Sequence, residues 1–222
     1  MLTTVLRHVR VDLALHRLRD GTGHPLLLLH ALGEHTPDAV PAAASHWPGP
    51  VWGLDFTGHG GSSVPAGGGY TPEALASDAD AALEHIGPAT ILGRGLGAYA
   101  GLLLAGSRPR LVRGLVIVDG PGFDGGGSEL QSTCVVGADT DDADPRTPDP
   151  WALLELSSDV RPADYAAEHM RQFGALSSLS PAVFVDALGR PAWVRSILEH
   201  AAAIELPTAE ALSSLSSLDH DA

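Results

Sequence analysis

Lysine is absent from this chain: all 13 basic residues are arginine, set against 27 acidic ones. That absence excludes Schiff-base catalysis, a lysine-anchored pyridoxal cofactor and the P-loop lysine together. The net charge of −14 makes nucleic acid and anionic membrane surfaces poor partners, since like charge repels them. Cysteine is almost missing too. Cys134 stands alone and cannot form an internal disulfide, which suits a reducing compartment, and it reads as a small hydrophobe rather than a reactive thiol. No apolar run approaches the roughly 20 residues that span a bilayer. The first residues lack the basic-then-apolar layout of a secretory leader, so the expectation is a cytoplasmic protein.

Ligand motifs are also scarce. No histidine or acidic spacing resembles a metal site, and His30, His35 and His59 are a weak set for one. The five aspartates between 139 and 149 lack the glycine and terminal glutamate of a calcium loop and read as a solvated excursion. Gly93-Arg94-Gly95-Leu96-Gly97 lacks the third glycine of a dinucleotide fingerprint. No cofactor is expected, no repeat is evident, and a small-molecule ligand and a homodimer are the partners left open.

What the chain does have is 44% hydrophobic residues over 222 positions, enough for one domain with a sizeable core. Residues 10–18 alternate as an antiparallel or edge strand, and Leu26 to Leu29 is a continuous apolar run suited to a strand buried on both faces. The alanine-rich Pro37 to His46 predicts a short helix, and Val51 to Phe56 a strand that runs into a glycine-rich loop. Thr71-Pro72 caps a helix that stops at Gly87-Pro88. Further strands are expected at Leu111–Val118, Ala182–Val185 and Ala203–Leu206, and further helices at Pro150–Val160, Pro162–Ala175, Pro191–His200 and Thr208 to about Leu218. Strands alternating with helices at this spacing imply an α/β fold, a doubly wound and mostly parallel sheet.

The hub is Ala89 to Ser107: a short strand, three alternate glycines, then a helix at once. This is the layout of the nucleophile elbow, G-x-S-x-G, with Gly95 in the serine's place. Two other stretches accompany it: Leu26-Leu27-Leu28-Leu29-His30-Ala31-Leu32-Gly33, and Asp55-Phe56-Thr57-Gly58-His59-Gly60-Gly61-Ser62. Together the three resemble the α/β-hydrolase family over nearly the whole chain. The resemblance implies a core at 1–124 and 181–222 with a small helical cap at 125–180. It also implies an oxyanion hole from the Leu32 and Leu96 N–H groups, an acid after the penultimate strand and a histidine after the last one. Asp186 is at best a doubtful acid. Pro207-Thr208-Ala209-Glu210 carries no histidine, His200 precedes the last strand, and His220 lies in a polar tail.

The expectation is therefore a non-hydrolytic relative that binds a small molecule between cap and elbow, with Ala31, Leu32, Arg94, Gly95 and Leu96 lining the pocket. The alternative is an enzyme of non-triad chemistry, hydrolase-, lyase- or cofactor-free oxygenase-like. It would use His59 or His30 with Asp55, Asp119 or Arg94 for proton transfer. Each has a bland counterpart: the histidines bonded to neighbouring loop backbone, Arg94 paired with Asp119 or Asp55, and Gly95 a plain turn residue. A third possibility is an interaction subunit with a collapsed pocket. Tyr165, His169 and Phe173 share one helix face, and Ser62 and Ser63 read as turn residues.

Overall fold

The computed structural model describes residues 1–126 and 147–217. Eight strands form one sheet: β1 (Leu2–His8), β2 (Val11–Arg19), β3 (Leu26–Leu29), β4 (Val51–Leu54), β5 (Ala89–Arg94), β6 (Val112–Val118), β7 (Val183–Asp186) and β8 (Ala203–Glu205). Their order is β1-β2-β4-β3-β5-β6-β7-β8. β2 pairs antiparallel with both β1 and β4, and every later pairing is parallel. β3, at the middle of the parallel part, is buried on both faces, as the unbroken Leu26–Leu29 run requires.

Six α-helices lie among the described residues: α1 (Pro72–Ile86), α2 (Leu96–Ser107), α3 (Pro150–Ser158), α4 (Ala163–Leu176), α5 (Ala192–Leu198) and α6 (Thr208–Ser217). Thr71 Oγ1 accepts the Ala74 N–H to start α1, with Pro72 already at its first position. α2 lies at the centre of one helical layer, against β5 and β6 and between α1 and α4, and it is buried from Leu96 to Gly106. Burying a leucine such as Leu102 there stabilises the fold by about 1.5–3 kcal/mol. α4 joins the same layer, packing on α2 and α5. α6 covers the opposite face, with Ala211, Leu212 and Leu215 in a second, smaller core with Leu28, Leu92 and Val116. α3 lies across the carboxyl edge: its Glu155 accepts the Gly69 and Tyr70 N–H groups, and Asp149 at its N-cap accepts the Tyr70 hydroxyl at 2.6 Å.

The stretch expected as an antiparallel or edge strand, β2, is antiparallel to both its neighbours, and the edge itself is β1. Two differences from the sequence expectation stand out. The helix expected over Pro37–His46 is a single 3₁₀ turn, Ala42–Ala44, because Pro41 has no N–H to give and its ring opposes a helix through it. Asp149 belongs to no solvated run, being buried as the cap of α3. The other aspartates of that run, together with Cys134 and His220, lie outside the described residues.

Candidate functional site

β5 ends in Arg94 and α2 begins at Leu96, leaving Gly95 alone to make the turn at φ 55°, ψ −120°. That region is costly for a residue with a side chain, which is the strain an elbow imposes. The space over Gly95 is filled. A Cβ there would land on the Pro121 carbonyl oxygen, 2.7 Å from Ala31 Cβ and 2.8 Å from the Gly120 carbonyl carbon. The same Pro121 oxygen accepts the Leu32 N–H at 3.1 Å and the Leu96 N–H at 3.0 Å. Both donors expected to hold a substrate oxygen thus already hold one from the chain itself.

The loop after β6 that supplies this oxygen is fixed residue by residue. The Gly120 carbonyl accepts the Phe123 N–H at 3.1 Å, and Trp193 Nε1 donates to the Phe123 carbonyl at 2.9 Å. The Arg161 guanidinium donates to the Gly122 carbonyl and lies 5.2 Å over the Tyr99 ring. Gly122 sits at φ 74°, and a Cβ there would come within 2.8 Å of Leu32 Cβ and 3.1 Å of Leu96 Cβ, so glycine is what lets the loop seat so deeply. Burial lowers the Arg161 pKa to about 10 against the opposing pull of Asp159. Among the described residues the cost of sinking that cation is offset by carbonyl and ring contacts, with no bonded carboxylate. Sequence reasoning passed over both Pro121 and Arg161. The signal for the first was the run Asp119-Gly120-Pro121-Gly122, a turn narrow enough to enter a hollow.

His30, Asp55 and Asp119 are committed to the frame, and His59 is committed through one of its two ring nitrogens. His30 donates from Nδ1 to the Ala31 carbonyl at 2.8 Å, and its Nε2 accepts the Phe56 N–H at 3.1 Å. Burial, then the neighbouring His59, pushes its pKa down to about 3, so it is a neutral strut. His59 is fully buried, 5.0 Å from His30 ring to ring, and bonds the Thr57 carbonyl through Nδ1 at 3.2 Å. Its Nε2 has no hydrogen-bond partner among the described residues, and burial lowers its pKa as well. Burial alone would raise the Asp55 pKa. The Gly61 and Thr36 N–H groups, each at 2.7 Å, and His16 Nε2 at 3.0 Å hold it below the ordinary carboxylate range instead.

Asp119 accepts the Leu188 and Gly189 N–H groups and braces the turn after β7. Asp186 is the last residue of β7, and its Oδ2 accepts the Thr208 N–H at 2.7 Å and the Thr208 hydroxyl at 2.6 Å. The position expected to carry the acid therefore caps the helix whose start was expected to carry the base. Arg94 pairs with Glu34, not with Asp119 or Asp55, and is exposed.

The sheet order, the antiparallel second strand and the elbow at the end of β5 decide the fold. It is the α/β-hydrolase fold. Among solved structures it is similar to an N-formylmaleamic acid deformylase from Pseudomonas putida, with a TM-score of 0.64 and 14% identity over 93% of this chain and 92% of that one. It is also similar to a bacterial membrane phospholipase A described as a virulence factor, with a TM-score of 0.57 and 16% identity over 100% of this chain and 87% of that one. An epoxide hydrolase A from Mycobacterium thermoresistibile matches at 0.44 and 22% identity, over 54% of this chain and 39% of its own length. No protein-family model and no curated protein matches the sequence.

Within this α/β-hydrolase frame one of the cavities among the described residues lies across the sheet from the blocked elbow. A cavity of about 320 Å³ opens where the 3₁₀ turn replaces a helix, at the lower end of the range for small-molecule sites. Leu28, Leu92 and Val118 form its floor, and Pro37, Pro41 and Ala43 its wall. Arg94, Glu34 and Thr208 stand at its polar margin. Of the residues expected to line a pocket, Arg94 is the one that reaches this cavity; Ala31 and Gly95 enclose the Pro121 carbonyl, and Leu32 and Leu96 hydrogen-bond it. Among the described residues no cluster of three or more histidine, cysteine or acidic side chains is placed to hold a metal ion, and no helix is long and apolar enough to cross a membrane.

Proposed function

We propose that this chain is a non-hydrolytic protein on the α/β-hydrolase frame, and that it binds a small molecule in the cavity beside Arg94 rather than between cap and elbow. One observation carries the first half: the Pro121 carbonyl oxygen lies in the place of a nucleophile's side chain while accepting both oxyanion-hole donors. Acyl transfer needs that volume for an attacking atom and those donors for the developing negative charge. The second half is supported by an apolar hollow at the carboxyl edge, where open α/β sheets take their ligands. Proton-transfer chemistry through His30 is disfavoured by the occupation of both its ring nitrogens. The test is hydrolysis of p-nitrophenyl acetate and butyrate by purified protein. Turnover no greater than that of heat-denatured protein is expected. Turnover well above it, lost on Gly95→Ala, overturns the proposal.

A further inference from the structure

We infer that the cavity takes an apolar carboxylic acid, whose carboxylate displaces Glu34 from Arg94 while its hydrocarbon part covers Leu28, Leu92 and Val118. The inference rests on the binding half of the proposed function and names the class of ligand. The floor has no polar side chain to offer and is fixed, because its residues belong to β3, β5 and β6 at the middle of the sheet. An occupant must therefore be apolar along most of its length. At the margin Arg94 is the one arginine among the described lining residues, and His30 beside it is neutral.

Arg94 and Glu34 are unequal partners. The Arg94 side chain is laid across Gly120, close enough that a Cβ on Gly120 would be 2.9 Å from Arg94 Cγ and 3.1 Å from Cζ, so the glycine leaves room for the guanidinium at the cavity margin. Glu34 comes from the turn after Leu32, and the Arg94 contact is the one side-chain hydrogen bond described for it. An incoming carboxylate that replaces it reproduces the charge-assisted bond and releases Glu34 to water, where its charge is solvated. An incoming cation would have to pull Glu34 away and leave Arg94 beside a second positive charge. A neutral head would break the pair without replacing it. The guanidinium fork also matches the two oxygens of a carboxylate, which it can hold bidentately.

The overall charge makes the experiment a strict one. At −14 the protein attracts cations and repels anions at long range, so a preference for an acid has to arise locally. Decanoic acid, decan-1-ol and decylamine are titrated into the full chain by calorimetry, alongside the ester-hydrolysis assay. Decanoate is expected to bind more tightly than either analogue. Arg94→Gln should weaken decanoate by about tenfold or more and leave decanol unchanged, the effect of losing one charged hydrogen bond. Glu34→Gln should tighten decanoate several-fold by removing the internal competitor. Ala43→Phe on the exposed turn, and Leu92→Phe on the floor, should block every probe; the first leaves the sheet untouched if the second fails to fold. Decanol or decylamine binding as tightly as decanoate overturns the inference, as does decanoate binding that ignores Arg94→Gln. Absence of binding by all three probes, with no ester hydrolysis, overturns it too and leaves the non-hydrolytic half of the proposed function standing. Ester turnover overturns that half whatever the probes do.

Discussion

Restoring a serine at the elbow is expected to damage this protein rather than revive it. In Gly95→Ser the new Cβ meets the Pro121 oxygen and presses on Ala31 Cβ at 2.7 Å, at a backbone angle of φ 55° that L residues seldom adopt. The backbone strain is worth about 1–3 kcal/mol. Forcing the 119–123 loop outward adds an overpacking cost of about 1–3 kcal/mol. Two buried donors, Leu32 and Leu96 N–H, then lose their acceptor at about 1 kcal/mol each, if water reaches them. These costs overlap, since one loop movement relieves part of each, so a net loss of about 4 kcal/mol is expected. For a chain of this length that lowers Tm by about 10 °C. Urea unfolding followed by the fluorescence of the four tryptophans measures the loss, and amide exchange at Leu32 and Leu96 locates it. A Gly95→Ser protein within about 1 kcal/mol of the parent, with both amides as protected as before, would show that the loop yields freely and that the blocked elbow is no barrier.

Four other outcomes follow from the geometry. Arg161→Gln, removing a buried cation that holds the Gly122 carbonyl, should destabilise by roughly 2–4 kcal/mol and speed exchange at the Leu32 and Leu96 amides, where a remote surface change would not. Tyr70→Phe should cost about 1–2 kcal/mol, read in urea, by releasing Asp149 and with it the start of α3. Asp78 is buried, which lifts its pKa from 3.8 to about 6 in the fold; its contribution is complete below pH 3.8 and is lost as pH rises through 6. Asp78→Asn should therefore stabilise by roughly 1–3 kcal/mol at pH 8 and change little at pH 4, measured by urea midpoints at both. Burial drives His24 and His30 the other way, from 6.5 to about 4 and about 3, so their contribution is complete above pH 6.5 and is lost as pH falls toward 3. Between pH 6 and 4 these oppose Asp78, and the decline on acidification should be steeper in the Asp78→Asn protein than in the parent.

The frame of the fold was legible because it is written in local rules. An uninterrupted Leu26–Leu29 run, a threonine before a proline at Thr71-Pro72, and alternate glycines at 93–97 each have few structural solutions. A Cβ at Gly97 would lie 2.5 Å from the His30 carbonyl oxygen, which is the close approach that the spacing foretold. β1 escaped notice since Leu2–His8 has neither face buried deeply enough to impose a clean alternation. The contents of the site were not legible, for a different reason. That a carbonyl 26 residues past the elbow fills the hollow depends on loop packing between distant segments, and a backbone oxygen has no signature in a sequence of side chains. The partner of Arg94 was missed on similar grounds: Asp55 and Asp119 are nearer in the motif order, yet each is already saturated by loop N–H groups, which leaves Glu34.

The hollow beside Arg94 has one stiff side and one compliant side. Its floor moves only if the centre of an eight-stranded sheet moves, whereas Pro37 to Val40 make no backbone hydrogen bond among the described residues. That span is tethered just before it by the Thr36 N–H on Asp55 and just after it by Trp47, whose Nε1 bonds the His24 carbonyl at 3.0 Å. Within it only the exposed Pro37 to Ala39 are free to bow outward, because Val40 and Ala44 fasten the chain to the second core, so occupants of graded length should differ less in fit at that one side than a socket rigid all round would allow.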